Sequence, residues 1–184
     1  MKKTLLAAVA AIGFAMGASA HAELVTNGGF ETGNFSGYTV NSQASGVDSQ
    51  TANTGLYSAY FGQVGSPGHI SQSLSTIAGT LYDFSFAYLS DGSRPNNFTA
   101  SFDGNVVFST INDIAHGFQT HTFTNLLASS NHTVIDFGIQ NNPGYQRLDD
   151  ISVKASAAVP EPETLALLGL GLLGIAISRR KSAK

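Results

Sequence analysis

The chain has no cysteine and no tryptophan, and only two methionines. Without cysteine there is no disulfide framework and no thiolate metal site, so the fold must rest on its apolar core or on a bound ion. Charged residues make up 11% of the chain, and positive ones nearly vanish from its middle. Of nine Lys and Arg, only Arg94, Arg147 and Lys154 lie between 23 and 158, against ten of the twelve acids, a net charge of −7. Nucleic acid is excluded as a partner, because it needs a basic footprint. Neutral sugars and a divalent cation are compatible with that balance. Helical periodicity is absent, as are the nucleophile elbow, the Walker loop and the dinucleotide fingerprint. None of His21, His69, His116, His121 and His132 shows zinc-ligand spacing, and His116 and His121, flanking Phe118, read as two exposed polar positions. Asp149 and Asp150 are neighbours on an expected strand, so their side chains should point to opposite faces and cannot form a catalytic pair. The chain therefore reads as non-enzymatic.

The two ends are apolar. Met1-Lys2-Lys3 opens a positive region, Thr4 to Gly17 is apolar but too short to span a bilayer, and Ala18-Ser19-Ala20 and Ala20-His21-Ala22 both satisfy the small-x-small cleavage rule. This is a secretory signal peptide over 1–22, with cleavage after Ala22 preferred and Ala20 the close alternative. At the other end, Pro160-Glu161-Pro162 precedes an uncharged run from Thr164 to Ser178 and the basic group Arg179, Arg180, Lys181. As a helix the run would extend roughly 22 Å, short of a hydrocarbon core of about 30 Å. The trailing basic residues should stay cytoplasmic.

Between the ends, residues 23–154 have the length of one domain, and 155–159 form a short small-residue linker. Strand-period alternation recurs. Tyr82, Phe84, Phe86 and Tyr88 share a face, as do Phe98, Ala100 and Phe102, and Ile135, Phe137 and Ile139. Asp103-Gly104-Asn105 supplies turn chemistry before Val106-Val107-Phe108. Further strands are expected over Phe35–Val40, Tyr57–Phe61, Ile70–Leu74, Phe118–Phe123 and Leu148–Lys154. About nine short strands with polar turns predict an all-β fold, an antiparallel jelly-roll sandwich. The Phe and Tyr stripes read as core and not as a ligand platform.

The C-terminal order of Pro-Glu-Pro, short apolar helix and Arg-Arg-Lys resembles the PEP-CTERM sorting signal of Gram-negative bacteria over residues 160–184. The resemblance implies recognition by the export machinery and by exosortase, transient anchoring in the inner membrane, and delivery to the cell surface or the extracellular space. Within the domain, Asn27-Gly28-Gly29-Phe30-Glu31 and Gly37-Tyr38 resemble the opening of galactose-binding-like carbohydrate-binding modules, with Tyr38 where a Trp is usual. Leu148-Asp149-Asp150-Ile151-Ser152-Val153 resembles their last strand. The resemblance implies a structural calcium held by Glu31 with Asp149 or Asp150, carboxylates being the hard oxygen ligands that calcium takes.

For a ligand, the loops 91–97 and 141–147 are the best candidates, with Arg94, Tyr145 and Arg147 offering planar or aromatic faces and donors. The expected function is an exported, non-catalytic, polysaccharide-binding protein of a matrix or biofilm. A structural matrix protein without a specific ligand and an enzyme of envelope polysaccharide are the alternatives.

Overall fold

Alternation of large apolar and small polar side chains makes one face of each strand water-avoiding, and two such faces close on each other. The computed structural model describes residues 22–157 and shows ten strands in two sheets. In chain order they are β1 (Thr39–Asn41), β2 (Ser45–Asp48), β3 (Ser58–Phe61), β4 (Gly68–Ser75) and β5 (Leu81–Ser90). They continue with β6 (Asn96–Phe102), β7 (Asn105–Ile111), β8 (His116–Leu127), β9 (His132–Asn141) and β10 (Gln146–Ala155). One sheet has the order β1-β4-β9-β6-β7, the other β2-β3-β10-β5-β8, and every pairing is antiparallel. The all-β sandwich expected from the sequence is the fold observed.

The aromatic stripes form the core. Phe84, Phe86 and Tyr88 of β5 are fully buried and face Phe98 of β6 and Phe137 of β9. Phe86 meets Phe137 edge-on at 5.2 Å, and the Tyr88 and Phe98 ring centroids are 4.2 Å apart. Gln146 Nε2 donates to Tyr88 Oη at 2.9 Å, so the phenol hydroxyl is not left unpaired. Asp103 and Gly104 both take positive φ (52° and 77°), the geometry of a two-residue hairpin turn joining β6 to β7.

Two expectations are corrected. Residues 35–38 form a turn, closed by Tyr38 N–H donating to Phe35 O, and only Thr39–Asn41 pair as a strand. A strand that was not expected, β2, adds to the edge beside β3; its four residues are all half-buried and show no alternation.

The connections sort to two poles. Loops 42–44, 62–67, 91–95, 112–115 and 142–145 lie together at one, and both ends of the described segment lie at the other. Leu24 N–H donates to Val153 O at 3.0 Å, and Ser156 N–H donates to Leu81 O at 2.8 Å. The expected signal peptide (1–22, apart from Ala22), sorting motif (Pro160, Glu161, Pro162) and basic end (Arg179, Arg180, Lys181) lie outside the described residues.

Truncating the central aromatic should cost far more than truncating an edge side chain. Phe86→Ala is expected to lose about 3–5 kcal/mol in urea unfolding, and Val106→Ala, 64% exposed on β7, about 0.5 kcal/mol or less. Comparable losses would contradict this account of the core.

Candidate functional site

The Asn-Gly-Gly-Phe-Glu motif works as a clasp on the last strand. Asn27 Nδ2 donates to the carbonyls of Asn34 and Ser36, and its Oδ1 accepts from Thr32 N–H, which closes residues 27–36 into one loop. Gly28 packs so tightly on the Ile151 backbone that a Cβ there would collide with the Ile151 carbonyl, while Ile151 N–H donates to Gly28 O at 3.0 Å. Phe30 is fully buried and stacks on Tyr38 at 5.5 Å. Tyr38 therefore fills an inner position, and burial pushes its phenol above the ordinary value, with Glu23 adding to the rise.

Beside this clasp the three carboxylates come together around the segment 53–57. Glu31 accepts from the N–H groups of Leu56 and Tyr57. Asp149 Oδ2 accepts from Asn53 N–H (2.7 Å), and Asp150 Oδ2 accepts from Asn53 Nδ2 (2.6 Å). Thr54 also reaches both aspartates. The expectation that Asp149 and Asp150 point to opposite faces is thus corrected. The β10 register shifts between Asp149 and Ser152, and Asp150 takes a positive φ of 48°, which turns both side chains to one side. A Cβ built on Gly29 would lie 3.7 Å from Asp149 Oδ1, from Asp150 Oδ1 and from Glu31 Cγ alike.

Asp149 is fully buried. Burial pushes its carboxyl up to about 6, and the neighbouring Asp150 charge adds to the rise against the backbone hydrogen bonds that oppose it. No Lys or Arg is paired with Glu31, Asp149 or Asp150 among the described residues. In donor chemistry this uncompensated anionic group suits a hard divalent cation. As placed, its oxygens face N–H and O–H donors, and among the described residues no three His, Asp or Glu side chains converge on one metal position.

Two of the three residues expected to meet a ligand share a cleft. Tyr145 and Arg147, with Asp48, Gln50 and Tyr60, line a depression of about 190 Å³ on the outer face of β2, β3 and β10. Tyr145 is 50% exposed and stands edge-on to Tyr60 at 5.4 Å. It lies over Gly62, where a Cβ would come within 2.7 Å of its ring. Arg147 lies 5.7 Å from the Tyr60 ring centroid and donates from Nη1 and Nη2 to the two oxygens of Asp48 (2.7 and 3.2 Å), and from Nη1 to Ser58 Oγ. The guanidinium is thus fixed as a planar wall beside an exposed aromatic. Its hydrogen bond holds Asp48 below the ordinary carboxylate value, against partial burial.

Arg94 does not join that cleft. It is exposed on the 91–95 loop. The residue that organises this pole is Asp91, which sequence reasoning missed. Its Oδ1 accepts from Asn141 Nδ2 and Ser93 N–H, and its Oδ2 from Tyr145 N–H at 2.7 Å. Partial burial pushes Asp91 up, and these hydrogen bonds outweigh it, leaving the group below its ordinary value. The loop carrying Tyr145 is therefore tied to the neighbouring loop by one carboxylate. The loop 91–97 was a ligand candidate in the sequence, but nothing there joined Asp91 to Asn141. His116 and His121 are also corrected. Both are half-buried and line one slot between β7 and β8.

Residues 158–181 match the PEP-CTERM protein-sorting motif, which indicates export and sorting by exosortase. No curated protein matches the chain. Among solved structures the fold is similar to that of TmCBM61, determined in complex with β-1,4-galactotriose, at 19% identity and a TM-score of 0.61, covering 73% of this chain and 99% of that one. The CBM22-1 xylan-binding domain of Paenibacillus barcinonensis Xyn10C is similar at 14% identity and a TM-score of 0.51, covering 76% and 97%. A Stig cyclase, Fisc, from Fischerella sp. TAU is similar at 16% identity and a TM-score of 0.55, covering 75% and 99%. The fold is thus that of carbohydrate-binding modules, and an enzyme shares it, so the likeness decides architecture and not activity.

The Asp48–Arg147 pair has a signature in acid. The folded-state value of Asp48 is lowered from its ordinary 3.8, so the pair's stabilisation is complete above that value and lost as pH falls through the lowered one. Asp48→Asn is expected to flatten the acid limb of the melting-temperature profile. Equal steepness in both proteins would contradict the pairing.

Proposed function

We propose that the exported domain is a non-catalytic carbohydrate-binding module, delivered by exosortase to the cell surface or the extracellular space, where it associates with exopolysaccharide. The observation that carries this reading is the Tyr145–Tyr60–Arg147–Asp48 cleft on a fold of the carbohydrate-binding type. An exposed ring beside a fixed guanidinium–carboxylate pair offers a sugar both an apolar platform and oriented polar partners. The domain's surplus of acids disfavours anionic glycans and favours neutral ones. The ligands named for the similar modules, β-1,4-galactotriose and xylan, are the first probes to use. In this reading the tail serves as an address that anchors the protein in the inner membrane only in transit.

Calcium belongs to the same proposal as a structural ion held by Glu31, Asp149 and Asp150, where it would supply the positive charge that buried Asp149 lacks. Support comes from the gathering of three carboxylates about Gly29 without a basic partner among the described residues.

Binding should be measured by calorimetry on the purified domain with β-1,4-galactan and xylan oligosaccharides and with the producer's own exopolysaccharide. Tyr145→Ala is expected to weaken binding about tenfold or more, equivalent to about 1.4 kcal/mol. Absence of binding to every glycan would favour the matrix-spacer reading, and turnover of a glycan would favour an enzyme. Separately, melting in calcium is expected to exceed melting in chelator, by about 2–4 °C for each kcal/mol of binding free energy. Identical melting temperatures would leave the hydrogen-bonded clasp sufficient without an ion.

A further inference from the structure

The sandwich carries a second opening, on the edge far from Tyr145. β7 ends one sheet and β8 ends the other, and the loop 112–115 crosses between them. Inward positions on these two strands should be apolar, as they are on β5. Phe108 and Phe123 obey that rule. Thr110, paired with buried Phe98, and Gln119 and His121, paired with buried Tyr88 and Phe86, do not. These polar side chains line a slot of about 430 Å³, within the usual size of small-molecule sites.

The slot is built and not merely left over. The His121 ring lies 4.3 Å from Phe108 and 5.5 Å from Phe86. Its Nε2 is buried and has no hydrogen-bond partner, a condition that calls for an explanation in a folded protein. Burial lowers the His121 value, with nearby His116 adding to the effect, so the ring is neutral at neutral pH. At the end of the slot, Asp113 Oδ2 lies 3.1 Å from His116 Nε2. The loop that carries both is fixed by buried Asn96, whose side chain accepts from Asp113 N–H (2.8 Å) and donates to Asp113 O (3.0 Å).

The geometry points to a second ligand site in this slot, for a neutral polyhydroxylated molecule the size of one sugar ring. Asp113 opposes an anion. No three His, Asp or Glu side chains converge on a metal among the described residues. What the slot offers is the His121 ring, the Thr110 hydroxyl, the Gln119 amide and a carboxylate with spare acceptor capacity. Several hydroxyl groups that both donate and accept would complete those valences. The site stands apart from the Tyr145 cleft, since β5 lies between β8 and β10 and the cleft is on the outer face of that sheet, and it does not depend on the function proposed for that cleft.

The test is nitrogen-15 NMR of the histidine rings during titration with D-galactose, D-xylose and myo-inositol, with D-galacturonate and zinc as charged controls. A neutral polyol is expected to move the His121 ring nitrogens and to leave His69 and His132 unchanged. His121→Phe, which removes the nitrogens and keeps the ring, and Gln119→Ala, which guards against a folding defect in the first variant, should each weaken polyol binding at least tenfold. Tyr145→Ala should leave it unchanged. His121 ring nitrogens that no neutral polyol moves would overturn the proposal. So would a response to galacturonate or zinc alone, or polyol binding lost in Tyr145→Ala but retained in both slot variants.

Discussion

The backbone of Gly28 lies directly against that of Ile151, and much of the molecule's order follows from that contact. It fixes the entering chain on the last strand at the point where the strand breaks register. The break turns Asp149 and Asp150 to one side, where they hold Asn53 and Thr54, and Glu31 of the same motif holds the amides of Leu56 and Tyr57. Segments far apart in the chain are thus closed over one bulge. A side chain at position 28 would separate them all.

The rest of the stability comes from ring-on-ring packing between the sheets. With neither disulfides nor indoles available, Phe supplies most of the large apolar surface, and the aromatic rings meet at edge-on, tilted and stacked angles at centroid spacings between 4.2 and 6.4 Å. Such contacts add roughly 0.5–1.5 kcal/mol per pair beyond the area they bury. The same packing explains why the stripes serve as core: Phe84, Phe86 and Phe98 are fully buried, and among the described residues the exposed aromatic is Tyr145, on a loop at the pole.

The elements most legible in the sequence were those whose pattern has period two over five residues or more. The stripes at 82–88, 98–102 and 135–139 became β5, β6 and β9 in the expected phase. β2 was not legible because Ser45-Gly46-Val47-Asp48 lies half-buried at an edge and carries no alternation. The phase of Asp150 was misread because a bulge is decided by the partner strand and the packing around it, not by the residues that form it. Arg94, Tyr145 and Arg147 were expected to meet a ligand and only the last two share a cleft, whose other residues, Asp48 and Tyr60, come from strands whose pairing the sequence does not encode locally. His116 and His121 were read as surface for the same reason: their inward direction appears only once β8 is registered on β5.

β10 is the middle strand of its sheet, hydrogen-bonded to β3 on one side and to β5 on the other, and the chain leaves the domain from its end. Anything attached after Ala157 pulls along that strand. β5 flanks it along its length and β3 at Gln146–Leu148, so the load falls on many hydrogen bonds in shear and none is opened singly as a zipper would be. The loops 42–44, 62–67, 91–95, 112–115 and 142–145 sit at the opposite pole, away from that end. Tension arriving after Ala157 would therefore enter through a central strand and not through an edge.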